Sequence, residues 1–293
     1  SLLNSYFISL LQGRQLISRI NLVSVLQRAS TVALSLLLVA ALGWGLTGAV
    51  LAVLVSSKVS VAVLCVMLRR LGARFWPRWD RLVIKTTLKF GLRGYVANVL
   101  QFFNYRLDLF LVNYFLGPSS TGIYTVAVAM AEMLWYLPNA VGFVIFPKAA
   151  NTSAEAMNRF TPRVFRLTLA LTAAGAVALA IIGKPFIEIV YSPAFASAYA
   201  PMLALLPGVV LLGGGKVLTN EIAGRGYPQY NSIASGVSLV LTVGLDLLLI
   251  PRLGVLGAAI ASSIAYVAIF VLALVFYRTV AGRQQGMLRR TSA

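Results

Sequence analysis

Eight ionisable side chains interrupt stretches of the chain that are otherwise apolar: Lys58, Arg93, Arg106, Asp108, Glu132, Lys216, Glu221 and Asp246. If lipid surrounds those stretches, a charge at the bilayer centre costs at least about 2.5–3.5 kcal/mol. Such a residue faces protein or water, which makes it a candidate site. Depth divides the set. At about 1.5 Å per residue, Lys58, Arg106, Asp108, Glu132 and Lys216 lie more than roughly 10 Å from the ends of their stretches. Arg93, Glu221 and Asp246 lie nearer the ends, where snorkelling to the headgroups is the alternative. The cations suit an anionic group such as a phosphate, for which Arg geometry is well matched. Asp108 and Glu132 are the candidates for handling a coupling cation.

The stretch 88–116 organises several of these residues. At about 100° per residue, Arg93, Asn98, Gln101, Asn104, Tyr105 and Asp108 share one arc of roughly 140° on a helix. A polar stripe of that width lines a cavity or buries against another polar helix. Arg106, two residues before Asp108, points away from it and needs its own partner. Glu132 on the next helix is the candidate, either as a structural ion pair or as part of a site. The candidate cavity set is therefore Arg93, Asn98, Gln101, Tyr105, Arg106, Lys216 and Lys58, with Asp108 and Glu132 for ion coupling.

Other chemistries are excluded by composition. The chain has no histidine and a single cysteine, Cys65, in an apolar run. Histidine catalysis, thiolate metal sites and a disulfide framework are absent. Gly213, Gly214 and Gly215 before Lys216 lack the spacing and the following Ser/Thr of a nucleotide loop. Inside an apolar helix, three glycines serve close packing or a hinge. Pro138 and Pro207 are candidate bend points or static kinks.

The elements that hold these residues follow from the bulk numbers. Of 293 residues, 59% are hydrophobic and only 11% charged, with mean hydropathy +0.87. Soluble proteins carry about 25% charged residues, so lipid is the solvent for most of this chain. With about 20 apolar residues per span, spans are predicted near 22–42, 46–68, 88–116, 121–147, 163–183, 200–223, 230–250 and 255–279, after a partial one at 1–12. The fold class is all-α and multispanning.

The net charge of +18 falls in the joints rather than on a nucleic-acid face. One side holds the basic residues around 14–28, 69–89, 148–166, Arg225 and 278–290. The other holds only Lys184 and Arg252. The positive-inside rule then puts the first set, and the C-terminus, in the cytoplasm.

Two stretches resemble each other. Both open Gly-Arg, at Gly13 and Gly224, and both reach Gly-x-x-Gly-Ala after one span, at Gly45–Ala49 and Gly254–Ala258. The alternative is a chance match of small residues. A parallel repeat gives two lobes related by an axis along the membrane normal. The expected organisation is a remnant of a first lobe at 1–68, a basic connector at 69–87, a six-helix second lobe at 88–279 and a cytoplasmic tail at 280–293. Phe75, Trp76, Pro77 and Trp79 of the connector are expected at headgroup level. By this repeat, about three spans of the first lobe are expected to precede Ser1.

The run RLDLFLVNYFLGPSSTGIYTVAVAMAEMLWYLPNAVGFVIFPKAA, residues 106–150, combines an Asp in a span, a Leu-Gly turn, a Gly-x-Tyr restart and a Phe-Pro end. With 188–212 and 223–260 it resembles the polysaccharide flippases, a branch of the multidrug/oligosaccharidyl-lipid/polysaccharide exporter superfamily. The resemblance implies a non-enzymatic transporter of the cell's inner membrane. It would move a polyprenyl-pyrophosphate-linked glycan between leaflets by alternating access, with coupling to a proton or sodium gradient as in some relatives. It implies no resident cofactor; the partners are the bilayer and other glycan-assembly membrane proteins. The alternatives are a cation-coupled multidrug exporter of the same superfamily and a membrane polymerase or ligase acting on lipid-linked glycans.

Overall fold

The structure, a computed structural model, describes residues 2–72 and 80–291, the side chains of Leu2, Arg93, Gly94 and 283–291 excepted. Phe75, Trp76, Pro77 and Trp79 lie outside the described residues. Every element among those described is helical. Among the described residues, seven helical stretches are long and apolar enough to cross a membrane. One of them, Arg81–Asn151, has 71 residues; at about 1.5 Å per residue it is several times the roughly 30 Å hydrocarbon thickness. It is cut at Gly117, whose φ of 80° and ψ of 177° leave helical geometry. Pro118 follows and cannot donate to the preceding turn. Split there, the stretches match the eight predicted spans.

The chain divides into two compact units, Ser1–Asp80 and Arg81–Ala293. In the first, α1 (Leu2–Gly13) and α2 (Ile17–Ser35) pack on α3 (Gly45–Arg70). The buried edge of α3 repeats every fourth residue through Gly48, Ala52, Ser56, Ser60, Leu64 and Leu68. Small residues at that spacing let helix backbones approach closely where lipid gives no hydrophobic drive.

In the second unit α4 (Arg81–Glu132) doubles back at Gly117, so it has two limbs, 81–116 and 118–132. A short 3₁₀ turn, Met133–Trp135, leads into α5 (Tyr136–Asn151). The turn precedes Pro138, which has no N–H for the helical bond to Leu134. Then come α6 (Ala154–Val190), α7 (Tyr199–Gly224), α8 (Gln229–Leu253) and α9 (Val255–Thr291). The start of α4 at Arg81 makes 81–87 helical, earlier than the span predicted from 88. The extra turns carry Lys85 beyond the apolar run.

Helix α7 is the axis of this unit. Its glycine triplet is packing rather than hinge: a Cβ at Gly213 would meet Pro138 and Thr172, at Gly214 Phe165, and at Gly215 Phe270. Gly208 lies so close to α9 that its N–H donates to Ser263 Oγ at 3.0 Å.

The local geometry of the two repeats agrees bond for bond. Arg14, Gln15 and Leu16 donate backbone N–H groups to the carbonyls of Leu10, Gln12 and Leu11. Arg225, Gly226 and Tyr227 donate to Glu221, Ala223 and Ile222. Each residue is displaced by the same interval as Gly13 to Gly224. Gln15 and Gly226 both take positive φ, 57° and 91°. Gly45 and Gly254, at φ 51° and 62°, mark the next restart. Three residues on, Gly48 and Gly257 each abut a carbonyl of the preceding helix, Leu38 and Leu249. The interval shortens by two residues between Leu38 and Gly45. The first repeat carries a π-helical segment there, Leu36–Ala41, the form that inserted residues take inside a helix.

Candidate functional site

The first limb of α4 presents Asn98, Gln101 and Tyr105 to a cavity of about 240 Å³. Asn139 of α5 and Lys216, Thr219 and Asn220 of α7 form further walls, and Asn231 and Ser235 of α8 close it. Amides and hydroxyls dominate this lining, and Lys216 is the one charged residue in it among the described side chains. Its Nζ donates to Asn139 Oδ1 at 3.0 Å and stands 4.4 Å from the centroid of the Trp135 ring. Tyr105 lies under it at 5.4 Å. Trp135, Tyr105 and Tyr266 pack as an aromatic cluster with centroids 5.0–5.8 Å apart. Aromatic faces attract a desolvated cation, and the Glu132 carboxylate, though not bonded to it, adds its charge, which together let a lysine survive this deep.

The amides are pinned from behind. Ser235 Oγ donates to Gln101 Oε1 at 3.0 Å. Asn220 Nδ2 donates to the Lys216 carbonyl at 2.7 Å, and Asn231 Nδ2 to that of Thr219 at 2.9 Å. Gln101 Nε2 is buried, with the Tyr105 side chain as its neighbour.

The predicted polar arc splits. Asn98 and Tyr105 occupy one edge, and Asn104 and Asp108 the other. Asn104 is fully buried; its Nδ2 donates to Ser238 Oγ and its Oδ1 accepts from Thr242 Oγ1, both at 2.7 Å. Asp108 departs from the expected cavity lining. It is fully buried and accepts from Tyr124 at 2.6 Å and Ser262 at 3.0 Å on one oxygen. Its other oxygen accepts from the Leu109 N–H at 2.7 Å. These donors draw together both limbs of α4 and α9.

Arg106 points away from that network, as its spacing predicts, and pairs with Glu132 at 3.8 Å, both partly exposed. Lys58 is exposed on α3 of the first unit. The side chain of Arg93 lies outside the described residues.

Two residues for which snorkelling was the alternative, Glu221 and Asp246, are buried. Glu221 binds Arg225, whose Nε donates to it at 2.9 Å. Arg225 also donates to Asn158 Oδ1 at 2.7 Å. The bond to Asn158 ties the end of α7 to α6. Asp246 has no exposed surface, and neither of its oxygens has a hydrogen-bond partner. It lies one helical turn beyond Thr242, and the charge acting on it is that of Asp108. The residues that charge-based reading overlooks are the neutral ones, Asn139, Asn220, Asn231 and Ser235. Asparagine inside an apolar span was the available signal. Among the described residues no group of three or more His, Cys, Asp or Glu gathers to hold a metal ion.

Solved structures share this architecture. An outward-facing multidrug resistance MATE family transporter of the MOP superfamily superposes with a TM-score of 0.84 at 16% identity, over 97% of this chain and 67% of its own. A MATE transporter of Vibrio cholerae gives 0.84 at 11% identity, over 94% and 65%. A MOP superfamily transporter from Pyrococcus furiosus, whose reversed binding-pocket polarity suggests a different function, gives 0.76 at 16%, over 91% and 63%. The fold is thus that of the MATE and MOP transporters, in a multi-pass membrane protein.

Sequence comparison narrows the class. Residues 5–200 match the model of the polysaccharide biosynthesis protein family, and the chain belongs to that family. An uncharacterised membrane protein of Methanocaldococcus jannaschii is 25% identical over 197 residues, 64% of this chain. The chain spans 38% of that relative's length.

Proposed function

We propose that this chain forms part of a flippase that carries a lipid-linked glycan, its lipid a polyprenyl pyrophosphate, across the cytoplasmic membrane by alternating access. The observation that carries this reading is the lining of the polar cavity: among the described side chains it holds one cation, Lys216, with amides and hydroxyls and no acid. Sugar hydroxyls exchange hydrogen bonds with amides, and a pyrophosphate needs a fixed positive charge to leave water. A cationic drug would need an acidic lining instead. Membership of the polysaccharide biosynthesis family supports the same substrate class.

Asp108 and Asp246 are the coupling pair in this reading. Both are buried, one is hydrogen-bonded and one has no donor. The oxygens of Tyr124 and Thr242 lie on the same helices, α4 and α8, and that of Ser262 on α9. Hard oxygen donors of this kind suit a proton or a sodium ion. Binding it removes the cost of keeping Asp246 charged in a dry interior. Glu132, held by Arg106, is the lesser candidate. The 81–87 and 280–293 segments lie on the cytoplasmic side, set by the basic joints.

The test is flipping of a lipid-linked glycan by the full-length protein in liposomes, with and without an imposed sodium or proton gradient. Gradient-stimulated flipping supports the reading; transport of a cationic dye with no effect on the glycan overturns it.

A further inference from the structure

On the far side of α5 from the polar cavity lies a second, apolar concavity. Asn139 and Gly142 of α5 meet Lys216 and Asn220 of α7, whereas Ala140 and Val144 are exposed on another face. There α5 and α6 leave a groove of about 350 Å³ whose walls are almost wholly apolar: Val141, Val144, Ile145, Phe160 and Val164 among them. Its floor is a satellite core of Ile145, Met157 and Val217.

Phe160 is also a wall of a neighbouring recess of about 400 Å³, formed by Ser153 and the first turns of α6. The recess is basic. Arg159 and Arg163 line it against a single acid, Glu155. Arg159 shares Glu155 at 2.7 Å with both side chains largely exposed, a pair of little energetic weight. Arg163 is exposed and has no ion pair among the described residues. Lys148 adds a third cation, its Nζ 3.6 Å over the Phe160 ring. From Ser153 to Val164 the helix rises about 16 Å, so the basic recess lies at the end of the span and the groove runs inward from it.

We propose that this surface binds one anionic phospholipid of the leaflet at this end of the spans. The phosphate sits at Arg159, Arg163 and Lys148, and one acyl chain lies along Val144 and Val164. The matched order of chemistry along α6 selects the occupant: charge at the membrane boundary, a shared aromatic ring, then hydrocarbon. A free phosphate would leave the groove unused, and a zwitterionic lipid would leave the excess positive charge uncompensated. The site is separate from the polar cavity and does not depend on what that cavity transports.

Native mass spectrometry of the detergent-purified full-length protein tests this with phosphatidylglycerol and phosphatidylcholine of equal chain length. We expect tighter binding of phosphatidylglycerol. Each basic residue near an anionic headgroup contributes roughly fivefold, so the double variant Arg159→Gln with Arg163→Gln should weaken that binding about 20-fold. Both residues are exposed, so its elution and thermal unfolding should be unchanged. Val144→Trp, which fills the groove and leaves the cations in place, should also reduce binding. Equal retention of the two lipids, or full retention by the double variant, would overturn the proposal. So would displacement by inorganic phosphate, which would mark a free-anion site, or by far less polyprenyl phosphate, which would assign the surface to the glycan carrier.

Discussion

Lys216 of α7 and Asn139 of α5 are joined at 3.0 Å across the polar cavity, with the ammonium resting on the Trp135 ring. The bond leaves two ammonium protons for a ligand. Asn139 aims the cation without neutralising it, as a carboxylate would. Aromatic support on one face and an amide at its side hold a positive charge available in a place where lipid would expel it.

Lys216→Gln should therefore lower glycan flipping about tenfold or more while protein abundance in the membrane stays unchanged. Lys216→Arg keeps the charge and should restore part of the rate. The readout is the initial rate of flipping by the full-length protein, normalised to its reconstituted amount. Wild-type flipping by Lys216→Gln would remove the cation from the mechanism.

Asp108 and Asp246 should behave differently from each other in stability. Asp108→Ala removes the acceptor that Tyr124 and Ser262 share and leaves them only the longer 3.3 Å bond to each other, at a cost on the order of 1–3 kcal/mol. Its thermal unfolding temperature should fall. Asp246→Asn removes a buried charge that has no donor and should leave stability unchanged or raised. That variant should also abolish the response of transport to the sodium or proton gradient. A destabilised Asp246→Asn with intact gradient response would assign this carboxylate a structural role.

Close helix contacts make a sharper stability prediction. A Cβ at Gly224 would fall 2.3 Å from the Phe146 carbonyl oxygen, and one at Gly208 2.6 Å from the Ser263 backbone. Neither neighbour is a side-chain tip that can turn aside. Gly224→Ala and Gly208→Ala should each cost about 1–3 kcal/mol, seen as lower yield and earlier thermal unfolding. Gly244→Ala, with open space around it, should be neutral.

The spans were legible because lipid demands long apolar runs, and Gly117–Pro118 marked the reversal within the longest helix. The repeat was legible from Gly-Arg and Gly-x-x-Gly-Ala, and the pairing of Arg106 with Glu132 from helical spacing. The division of the α4 stripe was not, since periodicity gives a face but not its neighbours. Asn104 and Asp108 went to α8 and α9 because those helices bring Ser238, Thr242 and Ser262. Asn139 and Asn220 escaped notice as uncharged residues. For Asp246 and Glu221 the choice between burial and snorkelling was not legible, because distance from a helix end does not report burial by a neighbouring helix.

Orientation rests on the asymmetry of the basic joints and is open to labelling. In a Cys65-free background, a cysteine at Ser119, exposed beside the Gly117 turn, should react with an impermeant reagent added outside intact cells. One at Ala150, exposed at the opposite end of the fold's second limb and α5, should react only after lysis. The reverse pattern would invert the topology.

The most direct test of the account is a competition in liposomes holding the full-length protein. A fluorescent polyprenyl-pyrophosphate-linked glycan and a cationic drug are offered together, and movement of each across the bilayer is followed. The account predicts that the glycan lipid crosses, that the drug neither crosses nor competes, and that Lys216→Gln slows the glycan alone. Transport of the drug, with the glycan lipid left in its original leaflet, would contradict it.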